Sequence, residues 1–281
     1  MARLVCVIMT TQLTAMRVRL LKYHGIAAIG SRVALTYRAS LLMRLVAVAL
    51  QVYLLSVVWR AVYGARDSVS GVALDTMITY ATLASVQTWL VTASSSSLLP
   101  QRIREGRIAT DLCGPVGIFE QIILLQVGQA AVAAPPAVLV LLVASAAERL
   151  SAPASAPAVI LYLISVVLGF AINLLIVSLL GMTAFWTVEV SGLMVIYQGI
   201  SQFLAGALVP LWFMPGWLRA TTEVLPFQAL VHTPVSLYLG RLTGWGAVHA
   251  VAVQMCWVLI FLALGNLAWK RCIHRVVMYG G

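Results

Sequence analysis

Tyr80, Gln87 and Ser94 recur at seven-residue intervals with Thr88, Thr92 and Ser95 nearby, and Gln198 and Gln202 stand four residues apart beside Gly199 and Gly206. Helical geometry puts each set on one face. These side chains donate and accept hydrogen bonds without changing charge. As the lining of a path through apolar surroundings, they suit an amphipathic or hydrophobic small molecule, a drug or natural product, better than a highly charged polymer. The same groups would serve equally if they only bonded one helix to another, and the residue pattern leaves both roles open.

Titratable chemistry is sparse by comparison. Glu120 lies about one helical turn from a loop holding Arg102, Arg104 and Arg107 and is placed to pair with them, while Asp75 falls at an interface. Proton-coupled carriers and intramembrane enzymes need more than this: a relay, paired aspartates or a Ser/His couple. His24, His232, His249 and His274 are scattered, and the four cysteines form no CxxC or Cys/His cluster. Neither a metal centre nor a disulfide framework is expected. A phosphate-binding loop ending in Gly-Lys-Ser/Thr cannot be built around either lysine: Lys22 follows Leu20-Leu21, and Lys270 lies between Trp269 and Arg271.

The elements that must carry these residues are apolar stretches. Of the 281 residues 62% are hydrophobic and 9% charged, with a mean hydropathy of +1.00, so the main solvent is lipid rather than water. About 20 apolar residues cross a bilayer. Six stretches meet that length: Leu45 to Gly64, Val72 to Leu99, Val116 to Ala147, Ala158 to Trp186, Ser191 to Trp212 and Trp245 to Trp269. The expectation is an all-α polytopic membrane protein, with a tail and elbow over 1–44, a six-helix domain over 45–269 and a C-terminal tail over 270–281. Pro135-Pro136 should kink the third span.

The formal charge of +10 does not imply a nucleic-acid partner, because the basic residues sit in short loops and tails. Arg3, Arg17, Arg19, Lys22, Arg32, Arg38 and Arg44 precede the first span; Arg102, Arg104 and Arg107 follow the second; Lys270, Arg271 and Arg275 follow the sixth. All of these fall on one side, against Arg60, Arg66, Arg149, Arg219 and Arg241 on the other. The positive-inside rule then puts both termini in the cytoplasm. A cleavable signal peptide is the competing reading of the first residues, but the run Leu4 to Met9 is short. Leu13 to Ser40 interleaves cations with apolar residues, as in an interfacial helix lying among lipid head groups.

Two connections stand out. Residues 100–115 form a charged cytoplasmic segment bounded by Pro100 and Pro115, in which Ile103, Ile108 and Leu112 are able to present an apolar patch to a soluble partner. The outer segment 213–244 is too apolar for an exposed loop and too broken by proline for a clean span. Its aromatic residues suit the membrane interface, and a re-entrant helical hairpin is the expected form.

Here the residues resemble a family. Phe203 through Gly206, Pro210-Leu211, Phe213, Pro215, Leu225-Pro226-Phe227, Pro234 and Tyr238 to Gly240 are similar to the signature of the ABC-2-type permeases, membrane subunits of bacterial ATP-driven exporters. Ile103, Gly106, Ile108, Leu112 and Pro115 resemble the first cytoplasmic loop of the small six-span branch, encoded as an unlike pair beside one ATPase. Cys113-Gly114 departs from that loop, where a bulkier or basic residue is expected.

The resemblance implies the ABC-2 (type V exporter) fold and a non-catalytic permease in the bacterial inner membrane. ATP and Mg would be bound by a separate ATPase dimer, not by this chain. Arg102, Ile103, Arg104, Glu105, Gly106, Arg107 and Ile108 would dock that ATPase, Pro210, Phe213, Pro215, Pro226, Phe227 and Pro234 would shape the outer hairpin, and Tyr80, Gln87, Ser94, Gln198 and Gln202 would line the pathway. The further partners would be membrane lipid and a second permease, homologous or identical. The alternative is a secondary transporter or channel not coupled to ATP.

Overall fold

The computed structural model describes residues 21–36, 38–64, 66, 68–69, 71–93, 98–106, 108, 116–146, 150–187 and 190–279. It is helical apart from a two-stranded antiparallel ribbon, β1 (Ser68–Val69) and β2 (Val72–Ala73), in which Val69 pairs with Val72. Helix α1 covers residues 21–36. There follow α2 (Arg38–Tyr63), α3 (Leu74–Ala93), α4 (Leu98–Arg104), α5 (Ile118–Ala146), α6 (Ala156–Met182) and α7 (Ser191–Leu204). A broken segment then holds α8 (Gly216–Val224), a 3-10 turn Pro226–Leu230 and α9 (His232–Tyr238), before the long α10 (Gly244–Tyr279).

Four of these helices combine the length and hydropathy needed to cross a membrane: Ala39–Tyr63, Ile118–Ala146, Ala156–Phe185 and Gly244–Ile273. The other two expected spans differ for separate reasons. Helix α3 has 20 residues, but threonines, serine and glutamine dilute its hydropathy. Helix α7 has only 14 residues where the sequence suggested a run to Trp212. Its end is a Schellman motif: the Gly206 N–H reaches Phe203 O at 3.1 Å, the Ala207 N–H reaches Gln202 O at 3.1 Å, and Gly206 takes φ +76°. A side chain on Gly206 would also strike Leu211 and the Tyr80 hydroxyl.

Other boundaries move too. Pro100 lies in the first turn of α4 rather than ending a span, a position where its missing N–H costs nothing. Helix α5 continues through Pro135 and Pro136. Ser155 caps α6, its side chain accepting from the Ala158 N–H at 3.3 Å, with Pro157 in the first turn. The expected C-terminal tail from residue 270 is the last part of α10.

Two apolar clusters hold opposite ends of the bundle together. One gathers Tyr63, Val72, Tyr80, Ile172, Leu230 and Val235 around the broken segment. The other gathers Leu99, Ile108, Ile118, Phe119, Met182 and Cys272 around α4. Helix α1 joins the bundle through α5 by backbone-level contact. A Cβ on Gly30 would collide with the carbonyl of Leu125, and one on Gly128 with that of Ala27. Ser31 Oγ donates to Gly128 O at 2.9 Å, and Tyr23 Oη to Glu120 Oε2 at 3.0 Å. Glu120, expected beside the arginines of the loop, thus bonds to α1.

Because no side chain fits at this crossing, Gly128→Ala should force the helices apart and destabilise the protein by about 1–3 kcal/mol. A thermal melt in detergent checks this against Gly199→Ala, where nothing lies within 4 Å of the added methyl. Equal melting temperatures would remove the close-contact account.

Candidate functional site

The site is a seam of polar side chains running between α3, α6, α7 and the broken segment. It begins with a backbone problem. The turn Pro226–Leu230 lies among the long helices, and its carbonyls at Ala229 and Leu230 have left helical pairing. Neighbouring helices supply the donors. Gln87 Nε2 of α3 donates to Leu230 O at 2.7 Å, and Gln254 Nε2 of α10 donates to Ala229 O at 2.9 Å. Gln254 also receives the Ser165 hydroxyl on Oε1 at 2.8 Å, tying in α6. At Gly169 the Ala229 carbonyl comes within 2.5 Å of where a Cβ would stand, so α6 approaches this turn without a side chain between them.

Two turns away on α3, Tyr80 Oη donates to Gly206 O at 2.8 Å and lies 3.2 Å from His232 Nδ1. With the phenol proton committed to Gly206, the His232 tautomer protonated on Nδ1 donates to Tyr80, and Nε2 accepts from Ser236 Oγ at 3.4 Å. Trp212 packs edge-on to Tyr80 at 4.8 Å, and Arg241 lies 4.3 Å above the Trp212 ring.

Further along α3 the seam opens. Asn173 Nδ2 donates to Val91 O at 3.0 Å and its Oδ1 accepts from Tyr197 Oη at 2.8 Å. Beside this pair is a slot of about 10 Å³ lined by Thr88, Thr92, Gln198, Ser201 and Gln202, among others. Thr88 Oγ1 is buried there without a partner. Thr92 and Gln198 also line a much larger cleft of about 890 Å³ toward α1 and α4.

The residues singled out from sequence therefore divide. Gln198 and Gln202 face the slot, whereas Tyr80 and Gln87 are buried and bonded within the chain; Ser94 lies outside the described residues. In the 100–115 segment, Ile108 is 6% exposed and belongs to the apolar cluster at that end, with Ile103 packed against it. Their apolar surface faces inward. Arg104, Glu105 and Gly106 are exposed, Arg102 is half-buried, and Arg107 and 109–115 lie outside the described residues. Among the hairpin residues, Pro226 and Pro234 are buried and Pro210 opens the turn Leu211–Phe213. Phe213 stacks on Trp59 at 5.6 Å, Pro215 caps α8, and Phe227 packs near Tyr197.

Asn173 and Gln254 were overlooked in the sequence. Their signal was available: each is an isolated amide in an otherwise apolar stretch, where an unpaired polar group is costly. Among the described residues no group of three His, Cys, Asp or Glu could hold a metal ion.

Gln254→Leu removes the donor to Ala229 O and the partner of Ser165, and should cost about 1–3 kcal/mol through the unsatisfied groups left behind. Gln202→Leu, whose amide makes no hydrogen bond among the described residues, should shift the melting temperature less. Equal shifts would show that the seam does not hold the turn.

No curated protein matches the chain. The family model described as ABC-2 family transporter protein matches residues 46–280. That match runs from within α2 to the end of α10 and takes in every long apolar helix, so this multi-pass membrane protein belongs to the ABC-2 family of transporter proteins.

Proposed function

We propose that the chain is the permease subunit of an ATP-driven exporter and moves an amphipathic or hydrophobic small molecule across a bacterial inner membrane. The observation that carries this reading is the family match over residues 46–280. The slot at Thr88, Thr92, Gln198 and Gln202, which at about 10 Å³ has room for no more than a water, supports it by placing uncharged hydrogen-bonding groups inside an apolar bundle where a pathway would open. Tyr80 and Gln87 contribute by fixing the outer hairpin above the slot rather than by touching the cargo.

On this reading six segments cross the membrane. Helix α3 crosses because its polar residues face protein, and α7 crosses together with the broken segment that follows it. Both termini are cytoplasmic, as the basic residues of the loop and tails require. A second permease, homologous or identical, completes the pathway from the other side, and lipid surrounds both.

ATP and Mg belong to a separate ATPase dimer, because the chain's own lysines sit in no phosphate-binding loop. The docking surface is the exposed end of α4 and the turn after it, Arg104, Glu105 and Gly106, with Arg102 and Arg107 flanking. Ile103 and Ile108 secure this loop to the bundle, so that a push on the loop reaches α5, α6 and α10. A secondary transporter or channel would need no such surface.

Replacing Arg104 and Arg107 together with Glu should abolish co-purification of the ATPase from native membranes while leaving the melting temperature of the permease unchanged. Undiminished co-purification would remove the docking assignment. Substrate-stimulated ATP hydrolysis by the purified complex separates the exporter from the secondary transporter or channel.

A further inference from the structure

The cleft of about 890 Å³ between α1, α2, α3, α4 and α5 is not needed for the reading above, and its volume is within the range of about 300–1,000 Å³ typical of small-molecule sites. Its lining is divided. Val33, Val48, Leu125 and Ala133 make an apolar body, while Arg44 and Arg102 bring two cations to it and Glu105 one anion. Glu105 Oε1 accepts from Gln101 Nε2 at 2.8 Å, which fixes the carboxylate within the loop.

Two polar atoms of lining residues are buried without a hydrogen-bond partner: the donor Trp89 Nε1 and the acceptor Gln129 Oε1. Trp89 is 6% exposed. An unpaired buried donor is costly, and a pair of orphans on facing helices beside one cavity marks a place where a polar group of a ligand would be stabilised. Around the cleft the surface is greasy. Ile29 and Val33 of α1 are 53% and 40% exposed, and Leu42 and Val46 of α2 are exposed as well. An occupant therefore arrives from the hydrocarbon layer rather than from water.

We propose that this cleft is a binding site for an anionic phospholipid, with its phosphate held by Arg44 and Arg102 and its acyl chains along Val33, Val48 and Leu125. Basic pockets between membrane helices hold lipid head groups in this way. The lipid would wedge between α1 and the bundle. It would meet the bundle where Thr92 and Gln198 join the cleft to the polar slot.

The test is lipid retention by the full-length protein, purified with whatever subunits accompany it and titrated with phosphatidylglycerol or phosphatidylcholine, read by native mass spectrometry. Phosphatidylglycerol should be retained preferentially. Arg44→Gln should weaken its retention about fivefold, the effect of one cation near a membrane surface, and Arg44→Lys should keep it. Arg271→Gln is the control, being exposed at the same end but outside both the lining and the proposed docking surface. Loss of retention in that control would reduce the effect to general surface charge and overturn the site. So would equal retention of the two lipids. Binding of dodecyl phosphate without phosphatidylglycerol would replace the membrane lipid by a free amphiphile and overturn the assignment.

Discussion

A chain that leaves helical pairing inside an apolar bundle must find its hydrogen bonds within the protein, and this requirement organises the structure. The turn Pro226–Leu230 and the end of α7 expose carbonyls at Ala229, Leu230 and Gly206. Each is met by a long polar side chain from a neighbouring helix: Gln254, Gln87 and Tyr80 at 2.9, 2.7 and 2.8 Å. Buried backbone groups are almost always paired, and in lipid there is no water to make good a loss. Those three side chains are therefore the condition for irregular backbone at that place. Gly169 and Gly206 belong to the same solution, since a side chain at either would push the turn or the helix end away from its donors.

Much of this was legible beforehand in one respect and not in another. Tyr80 and Gln87 were identifiable from their seven-residue spacing, and the run of proline, glycine and aromatic residues after Phe203 signalled a broken segment. What the spacing could not say was that the two lie opposite each other, because the pairing joins residues 126 and 143 positions apart in the chain. A polar stripe facing a cavity and one facing irregular backbone look the same in sequence. The end of α7 was legible in principle, because a glycine such as Gly206 at the start of a proline-rich stretch suits a left-handed helix stop.

The connection after α3 shows a different limit. Ile103 and Ile108 read as a patch on a charged loop because charge dominates that stretch. In the fold the same isoleucines join Leu99, Phe119 and Cys272 in an apolar cluster, and Arg104 is what remains exposed. Amphipathic segments seldom show in sequence which neighbour their apolar side has, since burial is decided by residues far away. Glu120 makes the same point: its sequence neighbours suggested arginine, but Tyr23, 97 positions away, takes the bond.

Helix α3 is where these separate facts meet. Over its 20 residues it gives Tyr80 and Gln87 to the hairpin, Thr88 and Thr92 to the slot, and Trp89 to the cleft toward α1. Its polar side chains face protein on several sides, and most of them are buried. Such a helix cannot slide or rotate alone without breaking bonds to the turn and the slot together. Helix α6 lies beside it and joins both ends of the bundle: Ile172 and Val177 belong to the cluster around the broken segment, and Leu175 and Met182 belong to the cluster that holds Leu99 and Ile108. The turn and the proposed docking surface therefore share one long helix as a common support.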